Sequence, residues 1–587
     1  MDALSSSFFM KPPHLLNLSS FTIQQNPKPK ILANSPYNST TFHLPKKIII
    51  KHNPQTLKTP KNPLIQKRKN QSLLATIFNS LDDFISTFID LPLHPSINPK
   101  HVLSGNYAPV DELPPTACTV MEGSLPSCLN GAYIRNGPNP QFTPRGPYHV
   151  FDGDGMLHMI KISQGKATFC SRYNKTYKYT VERDIGYPLF PSVFSSFNGL
   201  GASIARIGLS FARVLIGQFD PITHGLGTAN TSLALFSGHI FALCESDLPY
   251  AIKVTSNGDI ITTGRHHFES RTKSFSRMTA HPKIDQETSE AFAYAYNSKS
   301  PFLTFFRINP EGKKQKDVPI MSMKGFTAIH DFAITKNYAI FPDIQIVVNP
   351  SWILRGKSPV GVDIDKIPRL GIIPRYAEDD SEMWWMDVPG FNLLHCVNAW
   401  EEDGGATVVM VASNVVKVEE VMENMELAEL TLEKIIINVK EKTMERHKLS
   451  NKALDFAVIN PTYAAKKNRY VYAGVVGPTS WIGVVKLDLS LTKANGDDCT
   501  VATRLYGPGC SGGEPFFVAR EPNNPTADED DGYLVTYMHD EKNKESSFLV
   551  MDAKSPTLDI IATVKLPRRV PNGFHGLFVS ESDLNRL

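Results

Sequence analysis

No C-x-x-C pair occurs among the seven cysteines, which lie scattered at Cys118, Cys128, Cys170, Cys244, Cys396, Cys499 and Cys510. That scatter argues against a disulfide framework and a thiolate zinc site, and a reduced compartment is the simplest reading. No run of about 18 uncharged apolar residues occurs, so no transmembrane helix is expected. Acids are almost missing from residues 1–70, where Asp2 stands against eleven Lys and Arg residues, and arginine is absent before Arg68. This Ser-, Asn-, Pro- and Thr-rich stretch reads as a cleaved targeting segment, plastid rather than mitochondrial because mitochondrial leaders lean on Arg. A disordered tail without an address is the other reading. The remaining chain carries 50 basic and 57 acidic residues, a net of −7, which gives no sign of a nucleic-acid surface.

What is present is mostly short and strand-like. "GAYIRNG", "SLALFSGHIFALCE", "YAIFPDIQIVV", "GATVVMVAS", "RYVYAGVV", "GYLVTYMHD" and "SFLVMDA" are separated by Gly, Pro, Asn and Asp, as in all-β proteins. Many short strands over nearly 490 residues favour a propeller of four-stranded blades around a channel. No fixed repeat is visible, so this expectation rests on strand density and length. One acidic segment near 417–433 reads as a helix, followed by a strand in "KIIINVKEK".

Two stretches are unusually apolar. In "SLLATIFNSLDDFISTFIDL" (72–91), Leu74, Ile77, Phe78, Leu81, Phe84, Ile85 and Phe88 recur at helical spacing. The expected organisation is an amphipathic helix over 71–95 leading into one domain over 96–587. The second stretch, 188–219, has only Arg206 and Arg213 as charges. Helices lying in a lipid interface and ordinary core packing both fit.

The stretch "TAIHDFAIT" raises the chemical question. Read as a strand, it puts Ala328, His330, Phe332 and Ile334 on one face, with Asp331 and Thr335 opposite. A lone histidine there is more often a hydrogen-bonded core residue than a metal ligand. Three more sit in similar settings: His281 in "SRMTAHPKID", His395 in "FNLLHCVNAWEE" and His575 in "PNGFHGLFVS". The first two gaps, 49 and 65 residues, are near one blade with its loops, and the third, 180, is about three. Innermost strands face one axis, so the four can converge there. Spacing alone carries this weakly.

At this point the motifs resemble a family. "YHVFDGDGMLH", "GTANTSL", "CESDLPY", "MTAHPKID", "IHDFAIT", "HCVNAWEE", "GGEPFFVAR" and "GFHGLFV" occur in the order found in the carotenoid cleavage dioxygenases, from about residue 75 onward. "SRYNKTYKYTVE" and the ending from "VMDAKSPTLD" are most similar to the plant plastid subfamily numbered four. The resemblance implies a seven-bladed propeller under a helical dome, with one non-haem Fe(II) on the axis. It implies His281, His330, His395 and His575 as iron ligands, and Glu245 and Glu514 as carboxylates behind them. Imidazole suits iron, and ligating imidazoles usually pass their second N–H to an acceptor. The family usually carries a further acid where this chain has Gly477, so either another group or water orients the corresponding histidine, or activity is altered. "FDGDG" lacks the later ligands of a calcium loop, and Asp152–Gly155 reads as a tight turn. Phe574 either lines a substrate tunnel or packs in the core.

The implied activity is O2-dependent cleavage of one conjugated C=C bond of a carotenoid, at 9,10 (9′,10′), with 7,8 as the alternative. Such a substrate lives in lipid, so docking to thylakoid or plastoglobule surfaces is expected. Two rivals remain open: Lewis-acid isomerase or hydrolase chemistry, and a weakly active or non-catalytic carotenoid-binding propeller.

Overall fold

The computed structural model describes residues 73–587 except 91, 191–193, 195–198, 271–274, 422–426, 478–479, 493–497 and 523. All of them belong to one compact unit, Gln66–Leu587. The targeting segment expected over 1–70 lies outside the described residues.

Seven antiparallel sheets of four or more strands follow one another along the chain, beside one two-stranded ribbon of Ile346–Val348 and Val360–Val362. The second contains Ser232–Phe236, His239–Leu243, Tyr250–Val254 and Ile260–Arg265. The third starts at Lys283–Ile284, the fourth at Ala333–Ile334, the fifth at Leu393–Glu402 and the sixth at Leu454–Val458. The first and seventh sheets share the chain ends. Gly576–Ser580 pairs with Gly131–Arg135 in the first, and Thr119–Gly123 pairs with Ile560–Lys565 in the seventh. Each end of the domain therefore supplies a strand to the blade built mostly from the other end, which closes the ring.

Apolar clusters show why these strands read as apolar on both faces. Val408 and Met410 of the Thr407–Val415 strand pack on the fourth blade with Ile340, Leu370 and Ile372. Val409 and Val411, alternating with them in sequence, pack on the sixth blade with Val471, Ala473 and Val485. Alternate side chains thus enter different inter-blade cores, so neither face is left for polar residues. Similar clusters join the first blade to the second and to the seventh, which completes a seven-bladed propeller.

Two local expectations change. Of "TAIHDFAIT" only Ala333–Ile334 forms a strand, with Thr327 in a single bridge to Val347, and Asp331 and Thr335 are buried along with Phe332 and Ile334. The helix expected over 417–433 is not found in its described parts: Val418–Glu420 is one 3-10 turn, and a strand runs from Leu430 to Asn438. Thr431, Leu432 and Glu433 face neighbours across the Thr407–Val415 strand, so sheet pairing overrides helical propensity there.

The two apolar stretches do form helices, Leu73–Phe84 and Leu200–Leu215. Their orientation is inverted relative to a core helix. Asn79, Asp82, Arg206 and Arg213 are buried, whereas Leu74, Ile77, Leu81, Phe84, Ile204, Ile207, Phe211 and Leu215 are exposed. Polar groups join the two helices. Arg206 pairs with Asp82 at 3.5 Å and with Asp90, and Arg213 Nη2 donates to Asn79 Oδ1 at 3.1 Å. Ordinary core packing of the apolar faces is therefore excluded.

Candidate metal centre

Four inner edges meet on the propeller axis. His281 precedes Lys283–Ile284, His330 precedes Ala333–Ile334, His395 lies in Leu393–Glu402, and His575 precedes Gly576–Ser580. They come from the third, fourth, fifth and first blades. The gaps read from the sequence thus correspond to one, one and three blade steps. One ring nitrogen from each falls within 4.8 Å of the others. His330 Nε2 lies 3.0 Å from His281 Nε2 and 3.2 Å from His395 Nε2.

The remaining three blades supply carboxylates. Glu245 of the second blade lies with Oε1 2.7 Å from His330 Nδ1. Asp455 of the sixth accepts from His395 Nδ1 at 2.9 Å, and Glu514 of the seventh from His575 Nδ1 at 2.8 Å. Glu514 also accepts the Gly576 backbone N–H at 2.7 Å, which fixes the turn carrying His575. Seven blades thus contribute one residue each. Among the described residues no carboxylate pairs with His281, whose backbone N–H donates to Thr279 Oγ1 at 3.0 Å.

This arrangement sets the charge states. Burial works to raise the Glu245 and Asp455 carboxyls, but their imidazole partners outweigh it and hold both below the usual range. Burial, reinforced by the other histidines, keeps His281 well below an ordinary imidazole. Burial also prevails at His395 over the opposing pull of Asp455, while Glu245 outweighs burial at His330 and raises it. An ionised carboxylate at Nδ1 fixes the proton there in a neutral ring and leaves the Nε2 lone pair facing the centre. Nitrogen lone pairs gathered in this way, with three carboxylates behind the rings, repel one another unless a cation lies between them. Nitrogens held at right angles about 2.1 Å from one ion would stand about 3 Å apart, close to the separations found. The residues present fit a metal ion of imidazole preference.

Of the alternatives at Gly477, the structure shows the first: another group orients the histidine. Asp455, from "KALDFAVIN", stands behind His395, so no acid is needed from the hairpin that contains Gly477. That residue donates its N–H to Ser480 O at 2.8 Å, and a Cβ there would come within 2.6 Å of Ile482. The missed residue carried a signal like that of Glu514, a lone acid in an otherwise apolar or Gly-rich stretch. Asp331, expected opposite His330, is a brace: its carboxylate accepts from Cys396 N at 2.7 Å and pairs with Lys283 at 2.7 Å, tying three blades together. Within the expected turn, Asp154 pairs with Lys178 at 2.9 Å.

A cavity of about 1010 Å³ runs up to this centre, lined by His281, His575, Glu514, Ser232, Lys283 and Phe516 among others. Phe574 does not line it. Its half-buried ring lies 5.9 Å from Phe151, which also meets His149 and Phe194. Sequence reasoning missed Phe456, whose ring stands beside His395 and His575, and Trp481, which stacks on Phe456.

The profile described as retinal pigment epithelial membrane protein matches residues 107–580. A probable chloroplastic carotenoid cleavage dioxygenase 4 of Arabidopsis thaliana is 53% identical, with both chains covered completely. A chromoplastic zeaxanthin 7,8(7′,8′)-cleavage dioxygenase of Crocus sativus is 51% identical, over 62% of this chain and 99% of its own. Among solved structures, an apocarotenoid oxygenase of Synechocystis aligns with a TM-score of 0.67 and 25% identity, covering 83% of this chain and 99% of the other. Full-length likeness and a profile across most of the propeller lead to one conclusion: the chain belongs to the carotenoid oxygenase family, the family of the carotenoid cleavage dioxygenases.

Proposed function

We propose that this protein is an Fe(II)-dependent dioxygenase that cleaves one conjugated C=C bond of a carotenoid with O2, giving two carbonyl products. The observation that carries the reading is the convergence of four imidazoles, three backed by carboxylates, in a chain of this family. His281, His330, His395 and His575 would hold one iron per chain. Iron bound there would supply the chemistry that activates O2 beside the alkene. Glu245, Asp455 and Glu514 fix the imidazole orientation and tautomer. Apolar surface around the site would position the polyene.

The bond proposed is 9,10 (9′,10′), giving an apocarotenal and a C13 ionone. Cleavage at 7,8 is the second reading, favoured by the Crocus relative. The non-catalytic rival rested on a missing carboxylate at Gly477, and Asp455 removes that support.

Residues 1–70 are proposed as a plastid transit peptide. The outward apolar faces of Leu73–Phe84 and Leu200–Leu215 are proposed to rest on a thylakoid or plastoglobule surface, where the substrate resides. The test is incubation of iron-loaded protein with several carotenoids under ¹⁸O2. Label from O2 in the carbonyl products is expected. Products without it would sink the dioxygenase reading in favour of Lewis-acid chemistry.

A further inference from the structure

We propose that Phe456 is a wall of the metal centre and that its ring selects which double bond of a conjugated polyene is cut. This inference rests on the cleavage activity proposed above.

Successive residues of a strand point to opposite faces. Asp455 and Phe456 break that rule. Asp455 reaches His395 Nδ1 at 2.9 Å, and the Phe456 ring centroid lies 5.8 Å from that of His395 and 5.2 Å from that of His575. The register explains how. Leu454 and Asp455 pair with Val475 and Gly474, but Val458 pairs with Tyr472, so this strand carries one extra residue. Phe456 sits in that bulge with φ of +51°, a left-handed conformation that residues bearing a Cβ avoid. It turns the chain enough for two consecutive side chains to reach one centre.

A strained aromatic residue persists only where its surroundings hold it. Here the support is a stack. Trp481 lies over Phe456 with centroids 4.6 Å apart and planes at 22°. Trp481 in turn crosses Gly474, where a Cβ would come within 2.8 Å of its Cδ1. Gly474 leaves room for Trp481, Trp481 backs Phe456, and Phe456 ends the stack against two candidate ligand rings. Its side chain is buried and held from behind.

A conjugated polyene offers a row of double bonds of similar reactivity. Selection among them comes from where apolar surface stops the chain relative to the metal. A rigid ring beside two of the four imidazoles is such a stop. Removing it lets the polyene seat further along and presents a different bond.

The full chain, loaded with Fe(II) and incubated with β-carotene, is compared with Phe456→Ala and Phe456→Gly. Three quantities are read: the ratio of products from different bonds, iron per chain, and the melting midpoint of the metal-free protein. Both variants are expected to keep iron and to change the product ratio by about tenfold or more. Metal-free Phe456→Gly is expected to melt at or above Phe456→Ala, because glycine accepts a positive φ without penalty. An unchanged ratio in both variants overturns the proposal. So does loss of iron in both, which would make the ring a support for the histidines. Phe456→Ala melting above Phe456→Gly overturns the strain argument. Wild-type protein that holds iron yet cleaves no carotenoid is a separate failure, that of the proposed function itself.

Discussion

Asp455 Oδ1 accepts a hydrogen bond from His395 Nδ1 at 2.9 Å, and that pair supplies the third carboxylate–imidazole contact of the centre. The two residues are 60 positions apart and belong to neighbouring blades. Replacing Asp455 with Ala leaves the His395 proton unfixed and its ring unsupported. Metal affinity is expected to fall by about 10–100-fold, as read by competitive chelation. Asp455→Ala with wild-type affinity would remove this carboxylate from the account.

Adding an acid at Gly477 is expected to gain nothing. In Gly477→Glu the new side chain begins with a Cβ 2.6 Å from Ile482, tighter than any ordinary contact. A stability loss of about 1–3 kcal/mol is expected from the crowding, with no rise in iron content or turnover. Thermal melts and metal analysis decide it; a gain in metal affinity would return Gly477 to the site.

His330→Ala removes the imidazole nearest to two of its counterparts. It is expected to purify without stoichiometric iron under conditions that load the wild type. Unchanged iron content would refute its role as a ligand.

The lipid-facing proposal has its own variant. Phe211 and Leu215 are 63% and 69% exposed on the Leu200–Leu215 helix. Burying such a side chain in an apolar medium is worth about 1.5–3 kcal/mol. Phe211→Glu with Leu215→Glu is therefore expected to lower flotation with galactolipid vesicles by at least about tenfold, with the melting midpoint unchanged. Equal flotation would point to another surface.

Lys283→Met tests the brace beside the centre. It strands the Asp331 carboxylate, which is 2% exposed and now pairs with Lys283 at 2.7 Å. Breaking a buried pair costs about 3–5 kcal/mol. A comparable loss is expected in chemical denaturation, and Asp331→Asn in the same background should recover part of it.

The all-β architecture was legible because strand length, turn residues and apolar patterning are local properties. The inter-blade cores explain the continuous apolar runs, such as Val408 to Val411, whose alternate members face different blades. The strand at Leu430–Asn438 was misjudged at its start because its pairing partner, not its own propensity, decides its conformation. The helix at Leu73–Phe84 could be read from periodicity, whereas Leu200–Leu215 showed in the sequence only as a long apolar stretch with two arginines. Periodicity gives a face, not its direction, and only packing showed that Arg206 and Arg213 point inward.

The sequence by itself determined that four histidines stand in apolar settings at blade-like intervals, and that Glu245 and Glu514 are acids in unusual surroundings. Its ordered motifs identified the family resemblance. Only the tertiary structure decided which carboxylate meets which imidazole. It replaced the expected acid at Gly477 with Asp455, and it brought Phe456 to the same centre. The physical reason is that both depend on one extra residue in a strand and on the side-chain room across the sheet at Gly474. A bulge of that kind leaves no periodic mark in the chain; it exists only between paired strands.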